Sequence, residues 1–134
     1  MKIDLAYKGD EEFSSVNENS NSVNIDMRSP DVKAHQSPTE LLLSALGACA
    51  AVEIVAMVKK RRKTFVDLKA EISGVRRDEH PRGFTKINLK YFIYSPDLTE
   101  EEAERIVGLA TTKYCSVAGS LSAEQMHEFE IVRD

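Results

Sequence analysis

The first quarter of the chain alternates apolar and polar residues. Apolar side chains recur at every second position in residues 3–7 and 23–27, and residues 13–16 form a weaker segment of the same kind. A period of two is typical of strands that have one covered face. Polar turn sequences at residues 8–10 and 17–21 separate the three segments. The pattern therefore predicts a meander of about three antiparallel strands.

A helix start follows the loop of residues 28–36. Ser37-Pro38-Thr39-Glu40 combines a serine cap, a proline at the first helical position and a glutamate three residues after the cap. The apolar segment that follows ends in a basic cluster at residues 59–63, which suits the negative end of a helix dipole. We therefore predict one long helix over about residues 38–62, apolar on nearly every side.

This apolar segment, Leu41 to Val58, also has the length of a membrane span. Glu53 lies inside it and small residues fill its middle, and a carboxylate in mid-bilayer costs a few kcal/mol. A helix that is apolar all round can equally be the centre of a protein core. We therefore predict a buried helix and no membrane.

The second half of the chain continues with strands and a broken helix. We predict strands at 66–72, 84–94 and 126–133, and helices from a capping box at Thr99 through Ala110 and at about 116–121. Around Lys113-Tyr114-Cys115 the helical pattern breaks. Strands around a long buried helix and a second, broken helix predict an α+β fold, with one domain over residues 1–134.

Composition excludes several classes of protein. The 134 residues carry a formal net charge of −4, whereas nucleic-acid binding needs a surplus of lysine and arginine on one face. Two cysteines are too few for a disulfide framework or a structural zinc site, and the three histidines have no ligand spacing, so we expect no metal and no cofactor. The N-terminus has no continuous apolar core of a signal peptide, so we expect a cytoplasmic protein.

The two cysteines are the candidates for chemistry. Cys49 lies in mid-helix with Glu53 one turn further on the same face, and a buried free cysteine is often only a small hydrophobe. Cys115 lies near the start of a helical segment, where unpaired backbone N–H groups stabilise a thiolate, although it can also be a packing residue. Position alone leaves both interpretations open for each residue.

The surroundings of both cysteines resemble a known family. The run from Ser37 to Cys49, Ser-Pro-Thr-Glu-Leu-Leu-Leu-Ser-Ala-Leu-Gly-Ala-Cys, is similar to the helix of the OsmC/Ohr family, the osmotically inducible and organic hydroperoxide resistance proteins. Lys113-Tyr114-Cys115-Ser116-Val117 is similar to that family's second cysteine site. Residues 82–87, Arg-Gly-Phe-Thr-Lys-Ile, resemble a YhfA-type subgroup. The resemblance covers essentially the whole chain.

The resemblance implies a fold, an assembly and an activity. It implies an OsmC-like fold with antiparallel sheets and an intertwined homodimer. It further implies a thiol peroxidase for organic hydroperoxides, in which Cys49 attacks the peroxide and becomes a sulfenic acid. Cys115 then forms a disulfide with it, and a dithiol reductant of the lipoyl type restores both thiols.

The sequence departs from this family at the charged pair beside the thiols. The family uses an arginine from the N-terminal strands, held by a glutamate directly after the helix-opening proline, whereas Thr39 stands there and Glu40 follows it. Our substitute hypothesis is Arg28 paired with Glu40, and Arg82 is the other candidate.

Two further functions stay open beside the peroxidase. One is a non-catalytic stress protein or binding protein for apolar ligands, with structural cysteines, which the missing arginine favours. The other is a thiol sensor that is oxidised slowly without turnover. Treatment with a hydroperoxide distinguishes the three functions. A peroxidase consumes the hydroperoxide continuously, a sensor is oxidised once without turnover, and a binding protein stays unmodified.

Overall fold

The computed structural model describes residues 1–133 and contains six strands and two α-helices in that range. The elements in chain order are β1 Ile3–Gly9, β2 Glu12–Asn17, β3 Ser22–Asp26, α1 Pro38–Lys60, β4 Asp67–Arg76, β5 Phe84–Tyr94, α2 Glu100–Thr112 and β6 Glu124–Val132. The chain divides into two compact units, Met1–Leu42 and a second unit from Leu43 onward. The single domain expected over residues 1–134 stays a prediction.

The unit Met1–Leu42 contains the predicted meander. Its three strands pair antiparallel in the order β1-β2-β3, which confirms the prediction from the alternating pattern. Ile3, Leu5 and Tyr7 lie on one face of β1 because successive side chains of a strand point to opposite faces. They are 56%, 62% and 65% exposed, so this chain leaves an apolar sheet face uncovered.

Helix α1 starts where the capping sequence predicts. The backbone N–H of Ser37 donates to Glu40 Oε1 at 2.9 Å, and the N–H of Glu40 donates to Ser37 Oγ at 3.3 Å. These two reciprocal bonds satisfy N–H groups that the first turn leaves unpaired. The helix ends at Lys60, two residues earlier than predicted, and Arg62 follows with a left-handed φ of 60°.

The structure buries one face of α1 rather than its whole circumference. The buried residues are Leu46, Gly47, Ala50, Ile54 and Val58, which follow the four-residue spacing of a single helix face. On the other side Val52 is 67% exposed, between exposed alanines. By length and composition alone α1 meets the criterion for a membrane-spanning helix, which the core helix of a globular protein also meets.

The second sheet has the strand order β4-β5-β6. Strands β4 and β5 pair antiparallel from Asp67 opposite Tyr94 to Arg76 opposite Phe84. Strand β6 pairs parallel with β5, and this pairing differs from the antiparallel sheets expected. The reason is the connection, because α2 crosses between the ends of β5 and β6 and returns the chain in the same direction.

Helix α2 has the predicted capping box and the predicted break. The Thr99 side chain accepts from the N–H of Glu102, and the Glu102 side chain accepts from the N–H of Thr99. The helix ends at Thr112, and a single 3₁₀ turn follows at Ala118–Ser120. The core of the second unit joins α1, β5 and α2 around the fully buried Ile54, Tyr91 and Ile106.

Candidate functional site

Cys49 lies in the middle of α1 and is half-buried. It directly precedes Ala50 of the buried face, so its side chain stands at the edge between the core and the surface. A thiol in this position is held by a rigid helix and stays within reach of a small reagent. The sequence prediction of a mid-helix cysteine is therefore confirmed in its local structure.

Cys115 lies in the short connection after α2 and is 5% exposed. Two N–H groups, of Lys113 and Tyr114, donate to the carbonyl oxygen of Leu109 and close the helix end. The chain then turns, and the N–H of Ala118 donates to Cys115 Sγ at 3.3 Å. Cys115 Sγ also lies 3.9 Å from the carbonyl oxygen of Leu46 on α1. The helix break therefore directs this thiol against α1.

The fold places the two cysteine side chains near each other, and each thiol shifts the pKa of the other. The N–H of Val117 makes the largest contribution to lowering the pKa of Cys49, and the Cys115 thiol and the N–H of Ser116 lower it further against the effect of burial. Burial, in contrast, raises the pKa of Cys115. Cys49 is therefore the thiol that ionises first, and Cys115 is the one that keeps its proton.

A third side chain near this pair belongs to the buried Tyr91 of β5. Its hydroxyl donates to the carbonyl oxygen of Gly47 at 2.9 Å, and the residue is fully buried. Burial raises the pKa of Tyr91, and negative charge on Cys115 and Cys49 raises it further. The phenol is therefore a neutral donor near both sulfur atoms.

The predicted ion pair between Arg28 and Glu40 is wrong. Arg28 binds Asp26 at 2.8 Å and Glu12 at 3.0 Å, because Glu12 and Asp26 stand opposite each other in the β2–β3 ladder. Glu40 binds Lys33 and the N–H of Ser37. A catalytic role for Arg28 or Glu40 stays a prediction.

The other candidate arginine, Arg82, belongs to the exposed hairpin loop between β4 and β5. Its Nε donates to the carbonyl oxygen of Arg77 at 3.3 Å. Its known partner is thus backbone of the same loop. Among residues 1–133 no group of three or more histidine, cysteine, aspartate or glutamate side chains is arranged to hold a metal ion.

Sequence reasoning missed two parts of this site. Backbone N–H groups of Val117 and Ser116 lower the pKa of Cys49, and backbone groups carry no side-chain signature. The sequence did contain a signal for Tyr91, because this residue stands among Ile87, Leu89 and Ile93 on the apolar face of β5. A tyrosine on a buried face needs a hydrogen-bond partner for its hydroxyl.

Comparisons with known proteins agree with this architecture. Residues 31–130 match the family model described as OsmC-like protein. Protein YhfA of Escherichia coli strain K12 is 39% identical over 98 residues, which cover 72% of this chain and 73% of YhfA. The crystal structure of an OsmC-like protein from Mycoplasma pneumoniae aligns with a TM-score of 0.85 at 20% identity and covers 98% of this chain and 96% of that one.

The likeness extends to a second group of structures. The organic hydroperoxide resistance protein OhrB of Bacillus subtilis aligns with a TM-score of 0.61 at 17% identity, covering 98% of both chains. At this identity the likeness supports the fold alone. The family model and the identity to YhfA go further, and together with the paired cysteines they show that this chain belongs to the OsmC/Ohr family, in its YhfA-like subgroup.

Proposed function

We propose that this protein is a thiol peroxidase that reduces organic hydroperoxides through Cys49 and Cys115. One observation carries the proposal. The two thiols lie near enough to shift each other's pKa, and their surroundings separate them into a half-buried thiol with a lowered pKa and a buried thiol with a raised pKa. A peroxidatic cysteine must be an accessible thiolate, and a resolving cysteine must be near it and protonated until it is needed.

In the first step the Cys49 thiolate attacks the terminal oxygen of the hydroperoxide. The sulfur–oxygen bond forms, the oxygen–oxygen bond breaks, and the alkoxide takes up a proton and leaves as an alcohol. Cys49 is then a sulfenic acid. The backbone N–H of Val117, which makes the largest contribution to the lowered pKa of Cys49, stabilises the thiolate without a positive charge.

In the second step the Cys115 sulfur attacks the sulfur of the sulfenic acid. The sulfur–sulfur bond forms, the sulfur–oxygen bond breaks, and water leaves with the thiol proton of Cys115. A dithiol of the lipoyl type then restores both cysteines by two exchange steps and becomes a cyclic disulfide itself. One hydroperoxide and one dithiol thus give one alcohol, one water and one oxidised dithiol.

Two further considerations support this chemistry. The OhrB protein of Bacillus subtilis, which shares the fold, is named for organic hydroperoxide resistance. A cycle that depends on a free thiol pair suits the reducing cytosol, and we place the protein there.

We also propose that the chain acts as a homodimer. The exposed apolar side of α1 borders a groove of about 480 Å³. It is lined on the helix by Ala48, Ala51, Val52 and Val55, and on the other side by Phe65, Leu68 and one charged residue, Asp67. An uncovered apolar face of this kind marks an interaction surface. A second copy is the occupant we propose, and light scattering that gives the mass of one chain would contradict it.

The activity is tested by following the loss of cumene hydroperoxide in the presence of dihydrolipoamide. Turnover is expected in the native protein and not in Cys49→Ser. In Cys115→Ser, Cys49 should be oxidised once, but the disulfide cannot form and turnover through it should be absent. Full activity in Cys49→Ser would end the proposal. If no hydroperoxide is consumed and neither thiol is oxidised, the alternative of a non-catalytic protein for an apolar ligand takes its place.

A further inference from the structure

The carboxylate of Glu53 is the charged group of α1 that lies one helical turn beyond Cys49. Residues four apart lie on the same face of a helix, and both side chains are half-buried. From this position the negative charge of Glu53 raises the pKa of the Cys49 thiol, although it contributes less than the N–H groups and the Cys115 thiol that lower it. Glu53 thus opposes the ionisation on which the proposed reaction depends.

No cation in the described part of the chain pairs with Glu53. Within residues 1–133 its side chain forms neither an ion pair nor a hydrogen bond. Other partly or fully buried carboxylates of this protein are neutralised, as Asp26 is by Arg28 and Glu102 by Lys63. Within residues 1–133 of one chain, no cation that pairs with Glu53 therefore cancels its negative charge beside Cys49.

We propose that Glu53 is a specificity-determining residue that selects uncharged and cationic hydroperoxides over those that carry a carboxylate. The inference rests on the proposed function for the nature of its substrates. A carboxylate that approaches Cys49 meets a like charge in partly desolvated surroundings, where repulsion is several times stronger than in water. With screening by salt at this half-exposed position, we expect a discrimination of roughly tenfold.

The charge selection can be measured without any peroxidase activity. Iodoacetamide and iodoacetate alkylate the same thiolate and differ in charge, so the ratio of their rates at one pH does not depend on the fraction of Cys49 ionised. Peptide mapping gives this ratio at Cys49 separately from Cys115. The ratio of the neutral to the anionic reagent should fall about tenfold in Glu53→Gln and remain unchanged in Glu104→Gln, which removes the same charge from an exposed position of α2.

The same ratio in the native protein and in Glu53→Gln overturns the inference. Cys49 that reacts with neither reagent also overturns it, because a thiol that no reagent reaches cannot select among substrates. The second arm compares cumene hydroperoxide with a fatty-acid hydroperoxide that carries a free carboxylate. If the alkylation ratio shifts but neither hydroperoxide is consumed, the proposed function fails while the charge selection at Cys49 stands.

Discussion

The hydroxyl of Tyr91 donates a 2.9 Å hydrogen bond to the carbonyl oxygen of Gly47, two residues before Cys49. Through this bond the central strand β5 fixes the part of α1 that carries the more acidic thiol. The alternating pattern that predicts β5 does not predict this hydrogen bond. A period of two indicates the face of the sheet on which a residue lies, but not the residue that it meets across the core.

Removing this hydroxyl tests how much the bond stabilises the fold. Tyr91→Phe should lower the free energy of unfolding by about 1 kcal/mol, the usual net contribution of a buried hydrogen bond. Urea denaturation measures the change, and Tyr94→Phe is the matched control on the same strand, where the side chain is half-buried. An equal loss in the two variants would mean that the bond to Gly47 adds nothing.

The close approach of α1 to β4 depends on the missing side chain of Gly47. A Cβ at this position would lie 2.6 Å from Cγ1 of Ile72. Alanine is favoured over glycine in a helix by about 1 kcal/mol, but overpacking of this kind costs roughly 1–3 kcal/mol, so Gly47→Ala should destabilise by about 1 kcal/mol.

Ile72→Ala removes the obstructing atoms, so the double variant should lose less stability than the two single variants together. Gly119→Ala, where a Cβ would meet nothing within 4 Å, is the control and should leave stability unchanged. Additive losses at Gly47 and Ile72 would show that the two positions do not touch.

The two thiols should titrate in separate steps. Absorbance at 240 nm should record one thiolate below the ordinary cysteine pKa and a second above it, since backbone N–H donors favour ionised Cys49 and burial opposes ionised Cys115. The lower step should be absent in Cys49→Ser and should move upward in Cys115→Ala, which removes a donor to Cys49. A single step at the ordinary value for both thiols would contradict this order.

The same shifts give stability a defined dependence on pH. Where the folded protein has lost the Cys49 proton and the unfolded chain still holds it, stability rises with pH. This window lies between the lowered pKa of folded Cys49 and the ordinary value. Above the ordinary value the raised pKa of Cys115 acts in the opposite direction, and stability falls. Thermal unfolding of Cys49→Ser across the same pH range should lack the rise.

Arg28 should prove important for the fold of the first unit. Its guanidinium is the main reason that the pKa of the fully buried Asp26 lies well below its usual range. Arg28→Ala should therefore lower Tm at neutral pH more than Lys8→Ala, which removes an exposed cation. The stability that ionised Asp26 contributes is fully present above the ordinary pKa of aspartate and is lost as the pH falls through the lowered pKa of Asp26. The Tm values of the native protein and Arg28→Ala should therefore converge in acid.

Arg28→Ala also tests whether backbone N–H groups or the Arg28 guanidinium stabilise the Cys49 thiolate. If backbone donors stabilise Cys49, Arg28→Ala leaves its titration unchanged while Tm falls. An upward shift of the Cys49 pKa in this variant would restore the role that the sequence predicted for Arg28.

Local patterns in the sequence predicted the elements well. Both capping boxes, at Ser37 and Thr99, stand where helices begin, because the bonds they make lie within three residues. Strand β5 has its predicted bounds, Phe84–Tyr94. Strand β4 continues to Arg76, beyond the predicted end at Ile72, since Ser73 and Gly74 break the apolar alternation but still pair with β5.

Interactions between distant segments were less predictable. The parallel pairing of β6 with β5 is not visible in β6 itself, because an alternating pattern has no direction. Arg28 was assigned to Glu40 as a substitute for the family's arginine–glutamate pair, whereas the β2–β3 register places two other carboxylates, Glu12 and Asp26, beside it. The proximity of Cys49 and Cys115 followed only from the resemblance to a family, since no local rule links a helix centre to a loop so far along the chain.

The central claim is that these two sulfur atoms form one redox pair, and treatment with one equivalent of cumene hydroperoxide tests it most directly. Intact-mass analysis should show the loss of two hydrogens per chain, and peptide mapping under non-reducing conditions should recover Cys49 joined to Cys115 within the same chain. An unmodified chain, or a stable sulfenic acid at Cys49 with Cys115 still a free thiol, would contradict the account.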